Sequence, residues 1–187
     1  MLNLIRIFTI ILLVFPTYTY AVPKSVEIYI KKPELVGSGR LKFWMWDVYD
    51  AYLYGPKGEY NPSKPFALSI RYLMSFSSKS LTDRTIKEIR GQGYNNKKML
   101  NLWKQKLIDI FPDVEEGSTI TAVALGNGSI GFFSGNNSLG YIDSPEFTKR
   151  FFDIWIGTKT SEPKLRDKLL NQQNKWIAKN LTSNMQY

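Results

Sequence analysis

The sequence predicts an α+β domain, an antiparallel sheet of about six strands layered with helices. Three observations carry that expectation. Phe66 to Ser75 alternates Phe66, Leu68, Ile70, Tyr72 and Met74 with more polar neighbours, the period-two signature of a half-buried strand. Ser144-Pro145-Glu146 combines a cap, a proline at the first helical position and an acid at the positive pole, and leads into Phe147, Phe151, Ile154 and Trp155 at helical spacing. Gly126-Asn127-Gly128 separates two short β-rich runs as a hairpin turn does.

The remaining elements follow in chain order. Ser25 to Ile30 alternates Val26, Ile28 and Ile30 with polar residues and is expected to be a strand. Gly37-Ser38-Gly39 is expected to be a flexible break. Arg40 to Tyr54, rich in aromatics, reads as two strands with a bend at Asp47, and Gly55 to Pro65 as a loop. Ser80-Leu81-Thr82-Asp83 resembles a capping box, opening a helix that stops by Gly91-Gln92-Gly93. Asn96 can cap a second helix carrying Leu100, Trp103, Leu107, Ile110 and Phe111 up to Pro112. Strands at Thr119–Leu125 and Ser129–Phe133 flank the hairpin turn, and Gly135-Asn136-Asn137 turns into a strand over Leu139–Ile142. A last helix begins near Ser161 or Glu162 with Pro163 in its first turn, and residues 170–187 form a polar tail expected to fray.

The chain has 187 residues, 43% of them apolar, which suits one domain and is short for two. It contains neither cysteine nor histidine. That inventory excludes disulfide frameworks, thiolate nucleophiles, zinc fingers and every histidine-dependent triad or metal site. Asp113, Glu115 and Glu116 lack the spacing of a calcium loop, so no metal is expected, and no cofactor either. The net charge is +9, but the cations are scattered singly, and no nucleic-acid partner is expected. Weak contact with an anionic membrane or envelope surface is compatible with this charge, and no specific protein partner can be inferred.

The amino terminus reads as an address. Met1 to Arg6 carries one cation, Ile7 to Phe15 is largely apolar, Pro16 ends the run, and Thr19-Tyr20-Ala21 offers small residues where a signal peptidase reads. Residues 1–21 are therefore expected to be a signal peptide cleaved after Ala21, leaving 22–187 as a single periplasmic or secreted domain. The other reading is a retained anchor, against which stands a run far shorter than the roughly 20 apolar residues that span a bilayer.

Gly37-Ser38-Gly39-Arg40-Leu41-Lys42-Phe43 followed by Val48-Tyr49-Asp50-Ala51-Tyr52-Leu53-Tyr54 resembles the opening signature of the chalcone isomerase-like proteins. Further similarities follow in order: Pro65-Phe66-Ala67-Leu68, then Trp103 ahead of Ile110-Phe111-Pro112-Asp113-Val114. Gly140-Tyr141-Ile142, Phe151-Phe152-Asp153-Ile154-Trp155-Ile156 and Thr160-Ser161-Glu162-Pro163-Lys164-Leu165-Arg166 complete them. The similarity spans residues 37–170 and resembles in particular the exported bacterial branch of that family. It implies an open-faced β-sandwich, a long antiparallel sheet layered with helices, with a ligand pocket between the layers.

The resemblance also implies a site. Plant members stabilise an oxyanion with an arginine after the glycine-rich turn and with threonine and tyrosine hydroxyls; fatty-acid-binding relatives clamp a carboxylate with arginine and tyrosine. Here Arg40 is the candidate arginine, although it follows Gly39 directly where the isomerases have an intervening residue. In a strand, such a one-residue slip reverses the face of the side chain. The isomerase threonine falls on Trp44, the tyrosine of the following helix on Leu81, the asparagine seven residues later on Glu88, and the late hydroxyl on Thr160 or Ser161. The candidate ligand-binding residues are thus Arg40, Trp44, Tyr49, Leu81, Thr160 and Ser161. With most hydroxyl donors replaced, chalcone cyclisation is not expected. The expected function is binding of a small apolar carboxylic acid or lipid-like molecule. The alternative is an intramolecular lyase on another substrate, using an arginine-centred oxyanion site.

Overall fold

The computed structural model describes residues 22–172, so the proposed signal segment and nearly all of the polar tail lie outside the described residues. Six antiparallel strands are hydrogen-bonded in sequence order: β1 (Pro33–Phe43), β2 (Trp46–Pro56), β3 (Phe66–Tyr72), β4 (Thr119–Ala124), β5 (Ser129–Ser134) and β6 (Asn137–Asp143). Five helices accompany them: α1 (Lys24–Tyr29), α2 (Ser78–Gly91), α3 (Lys97–Ile110), α4 (Pro145–Ile156) and α5 (Pro163–Leu169). The sheet is thus a meander with one helical excursion, α2–α3, between its central strands. The expected α+β class and strand count agree with this architecture.

Strand alternation divides the core in two. Leu53, Leu68, Ala122 and Phe132 face the helices α2 to α5 and join Ile89, Trp103, Leu107, Phe147 and Phe151 in the main cluster. Tyr52, Tyr54, Ala67, Val123 and Phe133 face the other way and pack against Val26 and Ile30. Because both faces are covered there, β3 is buried at five successive positions rather than alternately.

Val26 lies in α1 and Ile30 caps its C-terminus, so the segment is not the strand the alternation suggested. Val26, Ile28 and Ile30 together follow period two, but Val26 and Ile30 alone also fit one helical turn. Four-residue spacing puts Val26 and Ile30 on one helical face, both buried, and leaves Ile28 73% exposed. The local helix signals fare better. Asn96 accepts from the Met99 N–H and Ser144 from the Phe147 N–H, as their positions indicated. The cap of α2 is Ser77, one turn before the expected Ser80, and Asp83 pairs with Lys79 and Lys104 instead of capping.

Two expectations about β1 and β2 change. The turn between them is Trp44-Met45, with Phe43 paired to Trp46, rather than a bend at Asp47. Gly37-Ser38-Gly39 is strand, not a break. Its glycines answer to α5, which returns to lie across β1. A Cβ on Gly37 would stand 2.3 Å from the Lys168 carbonyl oxygen and 2.5 Å from that of Leu169. On Gly39 it would stand 2.7 Å from Leu165 Cδ1. Gly37→Ala is therefore expected to push α5 off the sheet at a cost of about 1–3 kcal/mol. The thermal midpoint should fall by roughly 2–4 °C per kcal/mol. Gly91→Ala, where a Cβ meets nothing within 4 Å, is the control that should not fall. Equal midpoints for Gly37→Ala and the parent protein would refute the close-approach account.

Candidate functional site

A cavity of about 340 Å³ lies between the sheet and the helices. Its floor comes from alternate positions of the four leading strands: Leu41 on β1, Tyr49 on β2, Leu68, Ile70 and Tyr72 on β3, and Ile120 and Ala122 on β4. Its roof is Leu81 and Thr85 of α2 with Phe151, Ile154 and Trp155 of α4, and Phe111 closes the side below α3. Space remains because Ala122 stands between Leu68 and Phe132 in the strand register and fills little of the volume in front of it. The polar wall residues Ser80, Arg84 and Ser161 are exposed and so mark a mouth, with Glu88 and Glu162 beside them.

Two phenols reach the apolar interior. The Tyr49 hydroxyl accepts the indole N–H of Trp155 at 2.8 Å. Burial pushes the Tyr49 phenol well above the usual tyrosine range, against the opposing effect of that donated hydrogen bond. Burial raises Tyr72 in the same way, with Tyr49 adding to it. Both are neutral at physiological pH, donors rather than bases.

At the mouth, Arg84 Nε is ion-paired with Glu88 Oε1 at 2.7 Å, and Ser161 Oγ donates to Glu88 Oε2 at 3.0 Å. Glu88 thus holds the guanidinium by one edge and docks the segment leading into α5. Among the described residues no acceptor engages the two terminal nitrogens of Arg84. They are available to an oxyanion, and a guanidinium offers a planar pair of donors for that purpose.

The residues singled out from sequence divide accordingly. Tyr49, Leu81 and Ser161 are brought together on the cavity wall. Arg40, Trp44 and Thr160 are not part of it. Arg40 pairs with Asp50 in the strand register while its neighbour Leu41 pairs with Tyr49, so parity sends Arg40 to the opposite face. There it donates through Nε and Nη2 to the two Asp50 oxygens, at 2.6 and 2.9 Å, and through Nη1 to Asp47 at 2.6 Å. These carboxylates, Asp50 foremost, raise the Arg40 pKa further, and Lys42 with Arg40 holds Asp47 below the usual carboxylate range. Trp44 sits in the exposed β1–β2 turn. Thr160 Oγ1 donates to the Ile154 carbonyl at 2.6 Å and accepts from the Glu162 N–H at 3.1 Å, tying the end of α4 to the start of α5.

Arg84 is the residue that sequence reasoning missed. The signal was present: Leu81, Arg84, Thr85 and Glu88 follow i, i+3, i+4, i+7 spacing and so share one helical face. A second, more polar cleft of about 720 Å³ opens at the other end of the sheet, by the β4–β5 turn, between Lys64, Arg150 and Lys159.

An antiparallel sheet roofed by helices over an apolar cavity defines the class. The chain belongs to the chalcone isomerase-like family, whose pattern it matches over residues 17–171. Among solved structures it is similar to a fatty-acid binding protein of Arabidopsis thaliana, with a TM-score of 0.60 and 15% sequence identity. That likeness covers 76% of this chain and 88% of the plant protein, and it is a likeness of fold. No curated protein sequence matches the chain.

Proposed function

We propose that the protein is an exported carrier that holds a small apolar acid in the cavity between sheet and helices, with the carboxylate at Arg84, and that it catalyses no reaction. The observation that carries this reading is the cavity itself: about 340 Å³, within the range of pockets that enclose small molecules, and apolar except at its mouth. The interior Leu, Ile and Phe side chains suit an alkyl or aryl body. The unengaged nitrogens of Arg84 suit an anionic head that remains near water, where desolvation of the charge is least costly. The fold shared with a fatty-acid binding protein supports the same occupant. Against chemistry stands the lack of converging donors. The hydroxyls on the wall beside Arg84 already donate elsewhere, Ser80 to the Ser77 carbonyl, Thr85 to the Leu81 carbonyl and Ser161 to Glu88, whereas an oxyanion site needs several donors fixed around one point.

The test uses a fluorescent polyene fatty acid and its methyl ester as probes, with native mass spectrometry of the protein recovered after export. The parent protein should bind one equivalent of either probe. Arg84→Ala should weaken the acid by about tenfold to a hundredfold, the loss of a charge-assisted hydrogen bond of about 1.5–3 kcal/mol, and leave the ester unchanged. Failure of the parent protein to take up either probe overturns the carrier reading. Equal affinity of parent and variant for the acid overturns the assignment of Arg84. The same spectrum reads the chain mass, which should correspond to a start at Val22.

A further inference from the structure

The four residues at the tip of the β1–β2 hairpin serve neither the core nor the cavity. Phe43 is 66% exposed, Trp44 88%, Met45 85% and Trp46 66%. Phe43 and Trp46 face each other across the hairpin, and Trp44 holds a left-handed backbone conformation at φ 57° to make the turn. A non-glycine residue is uncommon there, and a tryptophan has nothing local to gain from it. Four adjacent large apolar side chains in water form the kind of patch that marks an interaction site.

We infer that this tip is a membrane anchor, the hairpin inserting Phe43, Trp44, Met45 and Trp46 into the interface of an anionic lipid bilayer. Three features favour a bilayer over a folded partner. The tip is convex and small. Its apolar side chains could bury on the order of 600 Å², short of the roughly 800 Å² per partner of a standard protein interface. A fluid bilayer requires no complementary pocket. Indole suits the headgroup level, where its apolar body sits among chain ends and its N–H stays near water. The base of the tip carries a charged collar: Arg40, Lys42 and Arg71 against Asp47 and Asp50, with Asp50 placed between Arg40 and Arg71 in the strand register. One positive charge remains over there, on a chain whose net charge is +9, which complements anionic headgroups.

The position of the tip ties it to the cavity without depending on what fills the cavity. Leu41, two residues before Phe43 on the same strand, and Val48, two residues after Trp46, both line the cavity wall. An inserted tip therefore sets the apolar cavity beside the bilayer surface, as a protein that collects or delivers an amphiphile requires. No helix among the described residues is long and apolar enough to cross a membrane, so this contact is one that lies on the surface.

The experiment compares the parent protein with Trp44→Ser/Trp46→Ser on vesicles of phosphatidylcholine mixed with phosphatidylglycerol. The parent should sediment with the vesicles, its tryptophan emission should shift to the blue, and bromine-labelled acyl chains should quench it. The double variant should partition at least tenfold more weakly and lose the quenching. Its thermal midpoint should match the parent, because both side chains stand in solvent. Three results would overturn the inference: no emission shift or quenching in the parent, equal partition of the two proteins, or a self-association in vesicle-free buffer that the double variant abolishes.

Discussion

Ala122→Trp is expected to abolish uptake of the apolar probes while the protein remains folded. Ala122 lies on a central strand, buried, with its Cβ toward the cavity and with Leu68 and Phe132 opposite it on the flanking strands. An indole at this position extends into space that is already empty, so the usual overpacking cost of about 1–3 kcal/mol is reduced rather than incurred in full. The same ring excludes part of the ligand. Each methylene kept out of the cavity forfeits about 0.8 kcal/mol of burial. Exclusion of about four methylenes therefore weakens binding at least a hundredfold. Ala122→Leu, a smaller intrusion, should give an intermediate loss. Titration of the polyene fatty acid against both variants, with thermal unfolding in parallel, decides the matter. Full affinity in a cooperatively folding Ala122→Trp protein would mean that the ligand sits elsewhere, and the polar cleft by the β4–β5 turn would be the next place to look.

What the sequence disclosed, and what it hid, follows the range of the interactions concerned. Caps at Asn96 and Ser144 and the Gly126-Asn127-Gly128 turn depend on neighbours within a few residues and were readable, whereas β3, read as half-buried, is buried on both faces because α1 covers its second side. Gly37 and Gly39 were misread as a flexible break because their reason is α5, whose Leu165 and Lys168 approach them from far along the chain. The segment around Val26 was misread because its three apolar residues follow period two while Val26 and Ile30 alone also fit a helical turn, and only the sheet face beneath it selects one. The cap of α2 shifted by a turn because Ser77 and Ser80 offer the same chemistry. The site shows the same division. Arg40, expected to hold the ligand, faces away instead, and its place directly after Gly39, one position early for the family motif, was the sign that strand parity would turn it to the other face. The replacement guanidinium on α2 belongs to a different element from the one that the family motif points to, and its relation to Tyr49 and Leu81 is tertiary. The aromatic content of residues 43–46 was visible, but not that a tight turn would leave all four in water.

Phe132→Ala should be strongly destabilising and should reach the site as well. Phe132, on β5, is fully buried and holds two other rings edge-on: Phe111 at 5.3 Å and Phe151 at 5.1 Å between centroids. Both of those rings line the cavity. Truncation removes the transfer energy of a large side chain and leaves a void beneath two walls, a cost of about 3–5 kcal/mol. For a domain of this size the thermal midpoint should drop by roughly 6–20 °C. Phe111 and Phe151 can then relax toward the gap, so the acid probe should bind a widened pocket more weakly. Phe133 supplies the comparison. It neighbours Phe132 on the same strand, is nearly as buried, and faces the opposite side, against Tyr29 and Tyr141. Phe133→Ala should cost stability of the same order and leave probe affinity unchanged, because strand parity keeps its void away from the cavity. Differential scanning calorimetry and probe titration on the pair separate the two effects. A loss of affinity in Phe133→Ala equal to that in Phe132→Ala would show that the probe responds to general loosening and not to the wall that Phe132 supports.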